Sequence, residues 1–216
     1  MGSSTAYSEK DPHRQNPVAP YFQGLFSLLI DNAYRTGYDE NDADLALASF
    51  TALSTITEGC GPENFDILYG MLIPVLQLLE KTLTSDVQTY GDKKAKQYQD
   101  YLGGLLQIIL VKVGHKLDDG TAGNIVKLLI MIFKSLQRVT ENGLIALSGL
   151  INGLGSRVNV NEFGQYLVWA LQGKDDECIR IACGLVSDVA GALHDGVKRY
   201  LNDFVPPLIK ILRDQD

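Results

Sequence analysis

The sequence predicts an all-α protein, an α-α superhelix (solenoid) of stacked antiparallel helix pairs, and three observations carry that expectation. No convincing stretch alternates apolar and polar residues as a half-buried strand does, whereas apolar residues recur at i, i+3 and i+4 through most of the chain. The helical stretches come in twos, and the twos resemble one another. Some helices are apolar on more than one face, as in Ile108-Ile109-Leu110-Val111, which suits a helix touched on two or three sides.

Residues 1–20 are polar and carry Pro12, Pro17 and Pro20, so they are expected to form a largely non-helical lead-in. Phe22, Leu25, Phe26, Leu29 and Ile30 then predict an amphipathic helix over about 21–34, the second helix of a truncated repeat. An acidic turn follows at 38–42. The first full pair is expected over 42–83: a helix to 58, the breaker Gly59-Cys60-Gly61-Pro62, and a helix from 63 with Pro62 in its first turn. A polar loop over 84–92 leads to the second pair, 93–139. Its two helices are separated by Asp118-Asp119-Gly120-Thr121, with Thr121 as candidate N-cap. In the later helix Ile125, Leu128, Leu129, Ile132 and Leu136 share a stripe opposite Lys127, Lys134 and Arg138. The third and fourth pairs are expected at 141–172 and 175–213, with helices over 141–155, 160–172, 175–193 and 196–213.

The first helix of each pair carries a small residue followed by Leu: Ala52-Leu53, Gly104-Leu105, Gly149-Leu150 and Gly184-Leu185. The second carries an aromatic or aliphatic run: Phe65–Leu68–Leu72, Ile125–Leu128–Ile132, Phe163–Leu167–Leu171 and Tyr200–Phe204–Leu208. Pro74 and Pro206 sit at comparable places and should bend their helices locally. The 21 glycines call for a reason, because each costs about 1 kcal/mol in a helix relative to Ala. Gly103, Gly104, Gly149, Gly153, Gly184 and Gly191 are expected to permit close approach of adjacent first helices.

The 216 residues are 45% hydrophobic, which is ample for a core and excludes wholesale disorder. A net charge of −7 argues against nucleic acid and leaves room for basic protein partners. Cys60, Cys178 and Cys183 form no CxxC pair; they suggest buried reduced thiols in an intracellular chain, not a disulfide framework or a zinc site. The start lacks the basic and apolar regions of a signal peptide, and no apolar run is long enough to span a membrane. His13, His115 and His194 are scattered, and no HExxH, GxSxG or phosphate-loop pattern occurs, so no catalytic, metal or cofactor residue is assigned. Asp118-Asp119 and Asp175-Asp176-Glu177 lie where helices start, as charges that complement a helix N-terminus do.

The paired pattern resembles HEAT repeats, and several segments resemble the importin-β (karyopherin-β) nuclear transport receptors. They are Ala48-Ser-Phe-Thr-Ala-Leu-Ser-Thr-Ile56, Leu147-Ser-Gly-Leu-Ile151 and, above all, Ala182-Cys-Gly-Leu-Val-Ser-Asp-Val189. Pro20-Tyr-Phe-Gln-Gly-Leu-Phe26 is similar to the end of a preceding repeat. Such receptors are several times longer, so the chain looks like a central segment. The resemblance implies a non-catalytic receptor that holds basic cargo or importin-α, and Ran-GTP, on a concave face of second helices. It implies Phe-Gly repeats of nucleoporins in grooves between convex first helices, and residence in cytoplasm, nucleus and nuclear envelope. It implies no cofactor, nucleic acid, membrane insertion or small-molecule substrate. Helical phase then selects candidate binding residues. Glu162, Gln165 and Trp169, the one Trp of the chain, fall opposite the core stripe of Phe163, Leu167, Ala170 and Leu171. Asp66 and Asp203 lie off the apolar stripes of their own helices, and together these residues suggest an acidic track for a basic partner. The rival readings are a HEAT-type structural scaffold subunit like that of a phosphatase, whose repeat length is more regular, and an all-helical enzyme.

Overall fold

The computed structural model describes residues 18–37, 43–135 and 139–213, which are helical almost throughout and contain no strand. The expected lead-in over 1–17, the acidic turn at 38–42, and Leu136 and Arg138 lie outside the described residues. A 3-10 turn, Ala19–Tyr21, opens on Pro20 and runs into α1 (Phe22–Gly37). Next come α2 (Ala43–Glu58) and α3 (Phe65–Lys81), joined through a 3-10 turn that Pro62 starts. Then follow α4 (Ser85–Tyr90), α5 (Asp92–Val113) and α6 (Asp119–Ser135). The chain continues with α7 (Glu141–Leu154), α8 (Gly164–Leu171), α9 (Asp176–Leu193) and α10 (Leu201–Arg213).

The first helices α2, α5, α7 and α9 stack side by side, and α3, α6 and α8 each pack on the first helix of the following pair. This is the stacked helix-pair solenoid expected from the periodicity, in which each pair buries its apolar face only against its neighbours. The recurring leucines are its anchors: Leu53, Leu105, Leu150 and Leu185 are all essentially inaccessible to solvent. Burying a Leu stabilises by about 1.5–3 kcal/mol, so this small-Leu signature marks the inner edge of every first helix.

The joint between α5 and α7 is the tightest, and glycine is the reason. A Cβ on Gly149 would stand 2.7 Å from the Cα of Gln107, and one on Gly103 would stand 3.0 Å from the main-chain oxygen of Asn142. Gly114 and Gly153 face each other across the same joint, main chain to main chain. Close approach does not explain the other three expected positions. Nothing lies within 4 Å of a Cβ built on Gly104, Gly184 or Gly191, so these glycines leave open surface instead.

Two local expectations need correction. The 84–92 stretch is not wholly loop, because α4 forms there. Its buried Asp86 accepts hydrogen bonds from the Tyr34 hydroxyl (3.2 Å), which ties the helix down to α1, and from the neighbouring Ser85 Oγ (3.3 Å). Nor is Thr121 the N-cap of α6. Asp118 is: its Oδ1 accepts from the Thr121 N–H (2.9 Å), its Oδ2 accepts from the Thr121 hydroxyl (2.6 Å), and these bonds hold its carboxyl below the usual carboxylate range. Asp175 caps α9 in the same manner, accepting from the N–H groups of Glu177 and Cys178 at 3.1 Å.

Candidate functional site

Helix α8 presents two faces. Phe163, Leu167, Ala170 and Leu171 are buried, while Gln165, Trp169 and Gln172 are exposed. Trp169 is 43% exposed, with its ring 6.3 Å from that of Tyr166, which in turn lies 5.7 Å from Phe133 of α6. The indole thus has an aromatic neighbour and leaves a little under half of its surface exposed, enough for a cation to approach the ring.

Gln165 and Asp203 come together. Both line a groove of about 560 Å³ between α8 and α10, along with Val160, Val168, Tyr200 and Pro206. At 100° per residue Trp169 stands about 40° around α8 from Gln165, on the side of Tyr166 and α6, and does not line that groove. The structure does not bring Glu162 or Asp66 into it. Glu162 lines a separate cleft with Asp119, Gly123 and Arg157, and its Oε1 accepts from Asn159 Nδ2 (2.9 Å). Asp66 sits two pairs away on α3, where Lys116 Nζ pairs with it at 2.6 Å and holds its carboxyl below the usual range. A continuous acidic track is therefore absent among these five residues. The groove that remains carries one carboxylate and no Lys or Arg in its lining.

A second groove, of about 390 Å³, runs between the first helices α2 and α5. Its floor is an aromatic pair, Phe50 stacked on Tyr101 at 5.0 Å, with exposed Leu47 and the open surface over Gly104 beside it.

Sequence reasoning missed the cations that strap successive turns together. Arg157, after α7, donates to the main-chain oxygens of Leu117 (2.7 Å), His115 (3.3 Å) and Gly114 (3.4 Å), the end of the preceding first helix and its turn. Lys112 donates to the Cys60 carbonyl (3.0 Å) one pair earlier, and Lys116 reaches Asp66. The available signal was a cation near the end of two successive first helices; its targets are main-chain carbonyls, which leave no trace in residue type.

Among the described residues no three His, Cys, Asp or Glu side chains form a possible metal site, and no helix is long and apolar enough to cross a membrane. A stack of helix pairs whose exposed features are shallow grooves and a half-bare Trp defines a class of protein: an α-solenoid of stacked helical repeats. Comparison with known proteins narrows this. The family described as importin subunit beta-1-like, TPR repeats, matches residues 3–216, and the chain belongs to that family. TPR and HEAT repeats are both stacked helix pairs, so the description and the architecture agree. Importin subunit beta-1 of Schizosaccharomyces pombe is 22% identical over 219 residues, covering 96% of this chain and 25% of the relative. The Saccharomyces cerevisiae protein of the same name is 21% identical over 204 residues, covering 91% and 23%. The chain thus spans about a quarter of the length of these relatives. Crystal structures of importin beta, grown from ammonium sulfate and from polyethylene glycol, superpose with a TM-score of 0.82 in each case. They are 23% and 22% identical, covering 92% and 91% of this chain and 24% of theirs, and share its HEAT-repeat solenoid fold.

Proposed function

We propose that this chain is a non-catalytic, protein-binding segment of a nuclear transport receptor, and that it holds a basic protein partner, cargo or an importin-α-type segment, beside Trp169. The observation that carries this reading is the half-exposed indole on α8, packed on Tyr166 and next to a groove whose lining has one carboxylate and no cation. Trp stacks on the alkyl stem and charged head of Lys or Arg, and Asp203 supplies the counter-charge. Glu162 contributes only to the field that steers a basic partner inward, and Asp66, neutralised by Lys116, takes no part.

A second contact has its own observation. The aromatic floor of the α2–α5 groove, left open at Gly104, suits the Phe side chain of a nucleoporin Phe-Gly repeat. Ran-GTP binding, shuttling between cytoplasm and nucleus, and residence at the nuclear envelope belong to the same reading and rest on family membership.

The test is fluorescence anisotropy with a labelled Lys/Arg-rich peptide and a labelled Phe-Gly peptide. The basic peptide should bind and lose about tenfold in affinity on Trp169→Ala, with the Phe-Gly peptide unaffected. Loss of Phe-Gly binding is expected instead from Leu47→Asp. A chain that binds neither peptide contradicts the transport reading of this segment and favours a purely structural scaffold.

A further inference from the structure

We infer that the groove between α8 and α10 reads the main chain of an extended, basic peptide, as distinct from a helix laid across the surface. The inference rests on the reading of α8 as the basic-partner site and adds the conformation and chemistry of the ligand. Its first support is the lining. Four primary amides, Asn161, Gln165 and Gln172 from the α8 side and Asn202 from α10, stand exposed in one groove. None of these side chains hydrogen-bonds another described residue. A primary amide offers two N–H donors and a carbonyl acceptor, the complement of a peptide unit. Their spacing also fits. Gln165 and Gln172, on α8 and its C-cap, are seven residues apart, about 10 Å along the helix axis, and Asn161 stands on the 3-10 turn just before α8. An extended strand advances about 3.3 Å per residue, so the step from Gln165 to Gln172 matches three ligand residues. A helical ligand keeps its own main-chain groups paired internally and presents few of them to such a ladder.

The second support is independent and lies in the backbone of α10. Pro206 and Pro207 stand inside that helix and have no N–H. The carbonyl of Asp203 would be bonded by residue 207 in an α-turn or by residue 206 in a 3-10 turn, and both are Pro. The carbonyl of Asn202 loses its α-turn donor, residue 206, as well. These two residues line the groove with the prolines, so its α10 wall offers acceptors that the helix cannot itself saturate. A ligand N–H can fill them. Asp203 adds the carboxylate for a Lys or Arg; no cation lines the groove itself, and Arg199 stands beside it with its guanidinium 5.0 Å over the Tyr200 ring.

The experiment uses a short fluorescein-labelled peptide of alternating Lys and Ser, the same peptide N-methylated at alternate residues, and a hydrocarbon-stapled helical peptide of equal charge. The unmodified peptide should bind, and N-methylation should weaken it about tenfold or more, because it removes main-chain donors while keeping every side chain. Gln165→Leu, at an exposed position, should weaken binding about threefold to tenfold. Pro206→Ala restores an N–H to the α10 wall and should likewise weaken binding without lowering the thermal midpoint, which separates ligand recognition from a structural role. Equal affinity for the methylated and unmethylated peptides, or tighter binding of the stapled helix, would overturn this inference while leaving the basic-partner site standing. No binding of any basic peptide would overturn both.

Discussion

The glycine joint between α5 and α7 makes a prediction whose sign can be worked from distances. A Cβ at Gly149 would stand 2.7 Å from Gln107 Cα, 2.8 Å from its carbonyl oxygen and 3.1 Å from its carbonyl carbon. Carbon atoms prefer about 3.5–4.0 Å, so the helices must separate by roughly 1 Å, and a main chain cannot rotate aside as a side chain can. Overpacking of this kind costs about 1–3 kcal/mol, against about 1 kcal/mol gained from the better helix propensity of Ala. The clash falls on backbone and the neighbouring Gly114–Gly153 contact must open with it, so the upper part of the range applies. Gly149→Ala should therefore destabilise by about 1–2 kcal/mol, a fall of about 2–8 °C in thermal midpoint for a chain of this length. Gly184→Ala is the control. Nothing lies within 4 Å of its Cβ, so the same change should raise the midpoint by about 2–4 °C. Circular dichroism melts of the two variants and the parent decide the matter. A Gly149→Ala midpoint at or above the parent's, or a Gly184→Ala midpoint below it, refutes the reasoning.

Four further expectations follow from single residues. His194 ends α9 at φ 49°, in the role that Gly155 fills at φ 55° after α7, so His194→Gly should raise the midpoint by about 2–4 °C through relief of roughly 1 kcal/mol of strain. Arg157→Met removes hydrogen bonds to three carbonyls and should lower the urea midpoint by an amount equivalent to about 1 kcal/mol, moderated by the half-exposed guanidinium. Asp66 is held below the usual carboxylate range chiefly by its hydrogen bond from Lys116. A depressed folded pKa stabilises above the unfolded value and loses that contribution as pH falls through the folded one, so carboxyl NMR on Lys116→Met should show the Asp66 titration moving up to the ordinary range. Burial pushes the Cys60 and Cys183 thiols up, and Cys60 and Cys178 are buried. Reaction with a thiol-disulfide reagent at neutral pH should be slow until denaturant is added; fast native labelling of Cys60 would contradict the packing around it.

The architecture was legible because it is written in apolar period and repetition. Leu53, Leu105, Leu150 and Leu185 each fall at the same place on a first helix, and all four are buried. The site was legible in part. Helical phase correctly separates exposed Gln165 and Trp169 from buried Phe163 and Leu167, because phase depends only on 3.6 residues per turn. It cannot say what a neighbouring element brings. Lys116 lies 50 positions from Asp66, and nothing in the sequence announces that one neutralises the other. The same limit hid the division among the glycines. Gly149 and Gly184 each precede the signature Leu, yet only the first meets a partner helix. Capping residues were mistaken by one turn at α6 because Asp118 and Thr121 are both good caps, and only the geometry tells which accepts.

The most direct measurement uses the single Trp of the chain. Trp169 stands half exposed on α8 beside the proposed groove, so its intrinsic emission reports on occupancy without a label. Titration with a Lys/Arg-rich peptide should change its intensity or shift its emission to shorter wavelength in a saturable way. An acidic peptide of equal length should leave it unchanged, and added salt should weaken the response. An emission spectrum that stays constant while the basic peptide is shown by anisotropy to remain unbound would contradict the account of this chain as a holder of basic protein partners.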